Sequence, residues 1–225
     1  MPSCNPSSAA SSVLLAGLLL AGCSPKAHNV GAGSLGGTPA SKASAAGAGG
    51  GLGQTIAVGA GPQKTYTVQQ QPPAGSCHYR TEGGEPLPDP KCTPGAISPA
   101  VTEATLKSTI CRKGGYTGGV RRPVSITSRE KKLNAAPYGY TGRMGDAEYD
   151  HLISLQLGGD PNDERNLWVE PADPGHNPGG GINNKKNPVE TKLHTAVCSG
   201  RTTLAAAQQA VASDWTTAAS KLGLN

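Results

Sequence analysis

The chain has 225 residues, with 32 glycines, 19 prolines, no phenylalanine and only 4% aromatic side chains, so it offers less core-forming material than its length suggests. That composition argues against several large domains and for one modest one. The formal net charge of +5 says little as a total, because Lys26, Lys42 and Lys64 supply three of those charges from a stretch with no acidic residue.

In chain order, Ser12 to Leu20 is apolar but too short to span a bilayer. It closes on Leu20-Ala21-Gly22-Cys23, which resembles a bacterial lipoprotein signal. The resemblance implies that residues 1–22 are a signal peptide and that the Cys23 thiol receives lipid. It also implies a place in the cell envelope, lipid-anchored to a bacterial membrane and facing the periplasm or the surface. Residues 23–75 are rich in Gly, Ala, Ser and Pro, cannot bury enough apolar surface to offset their ordering entropy, and are expected to form a disordered tether. The glycine run at 47–53 follows no strand and opens no helix, so it is not read as a phosphate loop. Residues 76–225 are expected to be the folded domain. Cys77, Cys92, Cys111 and Cys198 form an even set in an exported chain and predict two disulfides, with three pairings open.

Within that domain Ser98-Pro99 is a cap followed by a first-turn proline and predicts a helix through Val101, Leu106 and Ile110 to the stop at Gly114-Gly115. Val120 to Thr127 alternates weakly and predicts a strand, and residues 131–145 read as loop. Tyr149 to Leu157 predicts a strand that pairs with Asn166 to Val169 across the turn from Gly158 to Arg165, and an irregular stretch follows from Pro171 to Gly181. Asn187-Pro188 opens a further helix with Val189, Leu193, Ala196 and Val197 on one face, and a last helix runs from near Thr203 past Trp215 to Leu222.

The charges are segregated. Between Lys107 and Lys132 eight basic residues stand against Glu130, whereas from Asp146 to Asp173 eight acids stand against Arg165. A basic block before an acidic, histidine-bearing block suits a protein that holds a polyanion and a divalent cation, although such runs are more often solvated faces.

The window from Tyr149 to Trp168, YDHLISLQLGGDPNDERNLW, carries the most chemistry. With Lys186 to Glu190 and Val197 to Gly200 it resembles the HNH endonuclease superfamily, in particular exported bacterial members with DHLIPLELGG and NLWPEP segments. The likeness covers about residues 85–218. It implies an α+β domain of the ββα-metal type, a hairpin crossed by a helix around one divalent ion, with flanking helices and with disulfides in place of the Cys-x-x-Cys zinc staple common among such nucleases. It further implies His151 as general base, Asp150 as a metal ligand, and Asn166 as the amide that pins the hairpin loop and orients the histidine. For the ligand from the helix, Asn187 is favoured over Asn184, with Glu190 and His194 in reserve. Mg²⁺ or Mn²⁺ suits such oxygen donors better than zinc. Lys185 and Lys186, with Arg121 and Arg122 of the basic block, are expected to contact nucleic acid. Asp150 and His151 would face opposite sides of a regular strand, so they serve one site only if the strand ends or bulges there.

The expected function is metal-dependent hydrolysis of phosphodiester bonds in nucleic acid outside the cytoplasm, DNA in preference to RNA and with little sequence preference; no protein partner can be named. The competing class is a non-catalytic envelope lipoprotein that uses the same scaffold to bind polyanions or a protein. A third option pairs Asp150 with Glu148 or Glu170 for metal-independent hydrolysis of another phosphodiester or a glycan.

Overall fold

The computed structural model describes residues 55–224, so the expected signal peptide, Cys23 and most of the expected tether lie outside the described residues. The described part is α+β: three two-stranded sheets, five helices, short 3-10 turns and two disulfides. In order, the strands are β1 (Ala57–Val58), β2 (Arg80–Glu82), β3 (Glu85–Leu87), β4 (Ala96–Ile97), β5 (Glu148–His151) and β6 (Leu167–Glu170). The helices are α1 (Thr117–Val120), α2 (Val124–Asn134), α3 (Lys186–Cys198), α4 (Leu204–Asp214) and α5 (Ala218–Lys221).

The main core is built by the C-terminal helices. Leu193, Ala196 and Val197 of α3 pack with Leu204, Ala207 and Val211 of α4, with Trp215 and Ala218, and with Ile153 and Leu157 from the turn after β5. Thr203 caps α4, its side chain accepting a bond from the Ala206 N–H at 3.1 Å. A second, aromatic cluster joins Tyr138 and Trp168 to Tyr79, whose ring stacks on Tyr138 at 4.7 Å between centroids. The disulfide Cys77–Cys92 borders this cluster, and Cys111–Cys198 ties the end of α3 to the segment before α1.

Several elements differ from expectation for identifiable reasons. The helix expected from Ser98 shrinks to a 3-10 turn at Glu103–Ser108, because Ser98 still belongs to the β4 edge and gives its N–H to the Gly158 carbonyl at 2.8 Å. The strand expected over Val120 to Thr127 is instead the end of α1, an extended link at 121–123 and the start of α2. The buried residues of α2 are Glu130 and Asn134, polar side chains one turn apart, while Val124 is exposed, so no apolar period marks the helix. The strand expected to reach Leu157 stops at His151, and Leu155–Leu157 forms a 3-10 turn that ends at Gly158 with φ of 75°.

Residues 55–75, expected as tether, are instead packed on the domain. β1 pairs in parallel with β4, Ile56 packs against the main core, the Gly61 N–H meets Asp160 at 2.6 Å, and the Gln69 N–H meets Glu130 at 2.7 Å. Short polar stretches of this kind bury few apolar residues and are held by backbone bonds, which composition does not register.

Candidate active site

The β5–β6 hairpin sets the geometry. Its antiparallel register places Glu148 opposite Glu170, Tyr149 opposite Val169, Asp150 opposite Trp168 and His151 opposite Leu167. Alternation therefore puts Glu148, Asp150, Glu170 and Trp168 on one face and Tyr149, His151, Leu167 and Val169 on the other.

Like charges directly opposite across a hairpin are destabilising, so the carboxylate face needs compensation. It comes from the start of α3. Lys186 is fully buried, and its ammonium lies 2.8 Å from Asp150 Oδ2, in a closer pair with Glu190 one turn along the helix, and 2.9 Å from the His151 carbonyl oxygen. Asn184, just before the helix, donates through Nδ2 to Glu148 at 3.0 Å and Glu170 at 2.7 Å, while its Oδ1 accepts the Lys186 N–H at 2.8 Å. The Trp168 indole donates to Asp150 Oδ2 at 3.1 Å. One carboxylate oxygen from each of Glu148, Asp150 and Glu170 lies within 4.8 Å of the others.

Burial and then the charge on Asp150 raise the carboxyls of Glu148 and Glu170 above the ordinary range, Glu170 well above it. Burial pushes Glu190 up to about 7 against the opposing pull of Lys186. Burial disfavours the Lys186 ammonium, yet Asp150, Glu190 and Glu170 outweigh it and hold that group charged.

On the other face the imidazole of His151 is 8% exposed, with Nε2 3.4 Å from the Pro161 carbonyl oxygen. A carbonyl only accepts, so Nε2 carries the proton and Nδ1 the lone pair. Burial pushes this imidazole down to about 3, which leaves it neutral at physiological pH. Strand β5 stays in register through His151 and bends only at Leu152, so Asp150 and His151 face opposite sides of the hairpin and the shared pocket expected of them is not formed by a strand end between them.

Asn166 is fully buried and clamps the intervening loop. Its Oδ1 accepts the Ile153 N–H at 2.9 Å, and its Nδ2 donates to the carbonyls of Ile153 at 3.0 Å and Asp160 at 3.1 Å. Gly159 is required there, since a Cβ on it would lie 1.7 Å from the Ile153 carbonyl oxygen. Beside the hairpin end lies a polar cleft of about 220 Å³ lined by Thr117, Arg121, Ser154, Gln156, Asn187 and Glu190.

The structure thus brings together Asp150, Asn184 and Lys186, and it holds His151 and Asn166 at the same strand end. Other expected residues lie elsewhere. Asn187 is exposed on α3 and lines the cleft instead of joining the carboxylates, because it follows Lys186 by one residue and so turns about 100° around the helix. Lys186 is no phosphate contact, being sealed among acids. Arg122 is likewise buried, 2.5 Å from Glu130 and 3.2 Å from Asn162 Oδ1, so only Arg121 of that pair faces solvent. Lys185 is exposed but pairs with Glu85 at 2.5 Å. His194 sits by the disulfide, its Nε2 2.9 Å from the Ile110 carbonyl oxygen; Cys111, His194 and Cys198 have metal-ligand proximity, yet both sulfurs are bonded to each other and offer no thiolate. The sequence offered Glu148 and Glu170 only as alternative partners of Asp150 and Glu190 only as a reserve ligand, and did not bring them together around Lys186. Its one available signal was the strand register, which places two glutamates face to face.

No helix among the described residues is long and apolar enough to cross a membrane. No family model, curated protein or solved structure matches the chain.

Proposed function

We propose that the domain is an HNH-type endonuclease that hydrolyses phosphodiester bonds of nucleic acid, DNA in preference to RNA, outside the cytoplasm. One observation carries the reading. Lys186, in the first turn of α3, is bonded at once to the Asp150 side chain and the His151 carbonyl, so the helix is tied onto the Asp-His end of the hairpin. The strand, strand, helix order and the Asn166 clamp in the loop support this reading. Two disulfides suit an oxidising compartment, and lipid attachment at Cys23 belongs to the same proposal.

His151 donates through Nε2 to Pro161 and keeps the Nδ1 lone pair to take the proton of an attacking water, although burial makes it a weaker base than a free imidazole. Asn166 positions that histidine by holding the bend after β5. Arg121, exposed at the cleft, binds the nucleic-acid backbone, and low sequence preference follows from the lack of any base-reading motif in the sequence. The carboxylate oxygens suit a hard cation, and Glu170 Oε1, buried without a partner, shows spare donor capacity beside Asp150. Mg²⁺ or Mn²⁺ bound there would neutralise charge growing on the phosphate. Base and cation need not share ligands but must reach one phosphodiester, so with His151 and Asp150 on opposite faces this reading requires the scissile group to lie across the His151 end of the hairpin.

A second reading, a non-catalytic envelope lipoprotein that binds polyanions or a protein through this scaffold, draws on the ammonium already facing Asp150 and on the burial of His151. Plasmid nicking in Mg²⁺ or Mn²⁺ separates the two. The nuclease reading predicts cleavage that falls by roughly 10²-fold or more in His151→Ala. Retention of plasmid by both proteins without nicking would establish the binder.

A further inference from the structure

We propose that Glu148, Asp150 and Glu170 together form a divalent-cation site, in place of a site shared by Asp150 and Asn187. The proposal deepens the metal-dependent reading above by naming the ligands, and it is tested without reference to cleavage.

Three observations converge. The three side chains come from paired strands, and each offers an oxygen within 4.8 Å of the other two, a separation that a single ion can bridge after small side-chain movements. Glu170 is 1% exposed, and its Oε1 has no hydrogen-bond partner. A buried carboxylate oxygen without a donor or cation carries an uncompensated desolvation cost, and this one belongs to the cluster itself. Lastly, among the described residues Lys186 is the one cationic group within ion-pairing distance of these acids, and it pairs with Asp150 and Glu190, which leaves Glu148 and Glu170 without an ion-pair partner.

The donor set decides the ion. Three carboxylates and no nitrogen or sulfur ligand favour Mg²⁺, Mn²⁺ or Ca²⁺ over zinc or copper. The remaining bonds already orient the ligands, with Trp168 fixing Asp150 and Asn184 fixing Glu148 and Glu170. Glu148 is the least enclosed of the three ligands.

Titration of the full chain with Mn²⁺ alone, followed by calorimetry and by the electron paramagnetic resonance signal of free Mn²⁺, tests the assignment. The expected result is one bound ion per chain, held at least 10-fold more weakly by Glu170→Gln and by Glu148→Gln, and unchanged in Asn187→Ala. The paired Glu variants guard against misfolding of either one, since Glu148 is only half-buried. Equal Mn²⁺ affinity in wild type and both glutamine variants, or no uptake at millimolar Mn²⁺, overturns the site. If Mn²⁺ binds as expected while plasmid stays intact, the ion site stands and the nuclease reading falls; nicking with unaltered affinity in the variants has the reverse meaning.

Discussion

At His151 burial and chemistry act on the same proton. An imidazole in an unfolded chain titrates near 6.5, whereas here desolvation holds it down to about 3. Between those values the unfolded chain binds a proton that the folded chain refuses, so stability is complete above about pH 6.5 and is lost as pH falls towards 3. Glu170, raised by burial, has the opposite sign: its contribution is fully present in acid and declines as pH rises through its folded-state value. Comparison of wild type with His151→Asn isolates the imidazole. Urea unfolding should show wild type losing on the order of 2–3 kcal/mol more than the variant between pH 7 and pH 4. Parallel pH profiles would show that the ring is solvated. Asp150, His151 and Asn166 were legible in sequence because their joint order is specific. Lys186 was read as a phosphate contact and Glu170 only as an alternative partner of Asp150, because their burial and cross-strand register exist only once β5, β6 and α3 have met.

Among the elements, α3 is fastened at both ends, by Lys186 at its start and by Cys198 at its close. Cys111–Cys198 closes a separation of 87 residues and Cys77–Cys92 one of 15. Chain entropy assigns roughly 4–5 kcal/mol to the longer loop and about 3 kcal/mol to the shorter. The double variant Cys111→Ser with Cys198→Ser should therefore have a lower urea midpoint than Cys77→Ser with Cys92→Ser, and the reverse order would mean that local packing around Tyr79, Tyr138 and Trp168 outweighs loop length. Helices α3 and α4 were readable from apolar spacing, and α4 also from its Thr203 cap, but Asn187 does not cap α3, which already begins at Lys186, and the last helix is broken after Asp214 into α4 and α5. Helix α2 was hidden because its inward stripe is Glu130 and Asn134, which carry ion-pair and backbone-bonding duties instead of apolar contacts. The hairpin was placed correctly but drawn too long, since the apolar Leu152 to Leu157 stretch fits a buried strand as well as a buried 3-10 turn.

For the molecule as a whole, residues 55–75 act as a strap. They cross β4, the Asp160 turn and α2, adding a Gln71 Oε1 bond to Asn134 at 2.8 Å and a Gly75 N–H bond to the Ala136 carbonyl at 3.0 Å. A chain starting at residue 76 should melt several degrees below one starting at residue 55, by differential scanning calorimetry. Equal melting temperatures would show that the strap adds nothing. Glu130 and Asn134 would then lose partners at no cost, contrary to what buried polar groups normally demand. Sequence composition called this stretch a tether because it weighs apolar content, and the strap is held mainly through main-chain bonds. The indole of Trp168 has a use at the same scale. It is one of two tryptophans in the chain, wholly enclosed, and its N–H rests on Asp150, whereas Trp215 bonds to the Pro86 carbonyl far along the sequence. The protein therefore contains its own lamp beside the carboxylates: whatever settles on Asp150 must alter the electric field across that ring, and the colour of its emission will record the arrival.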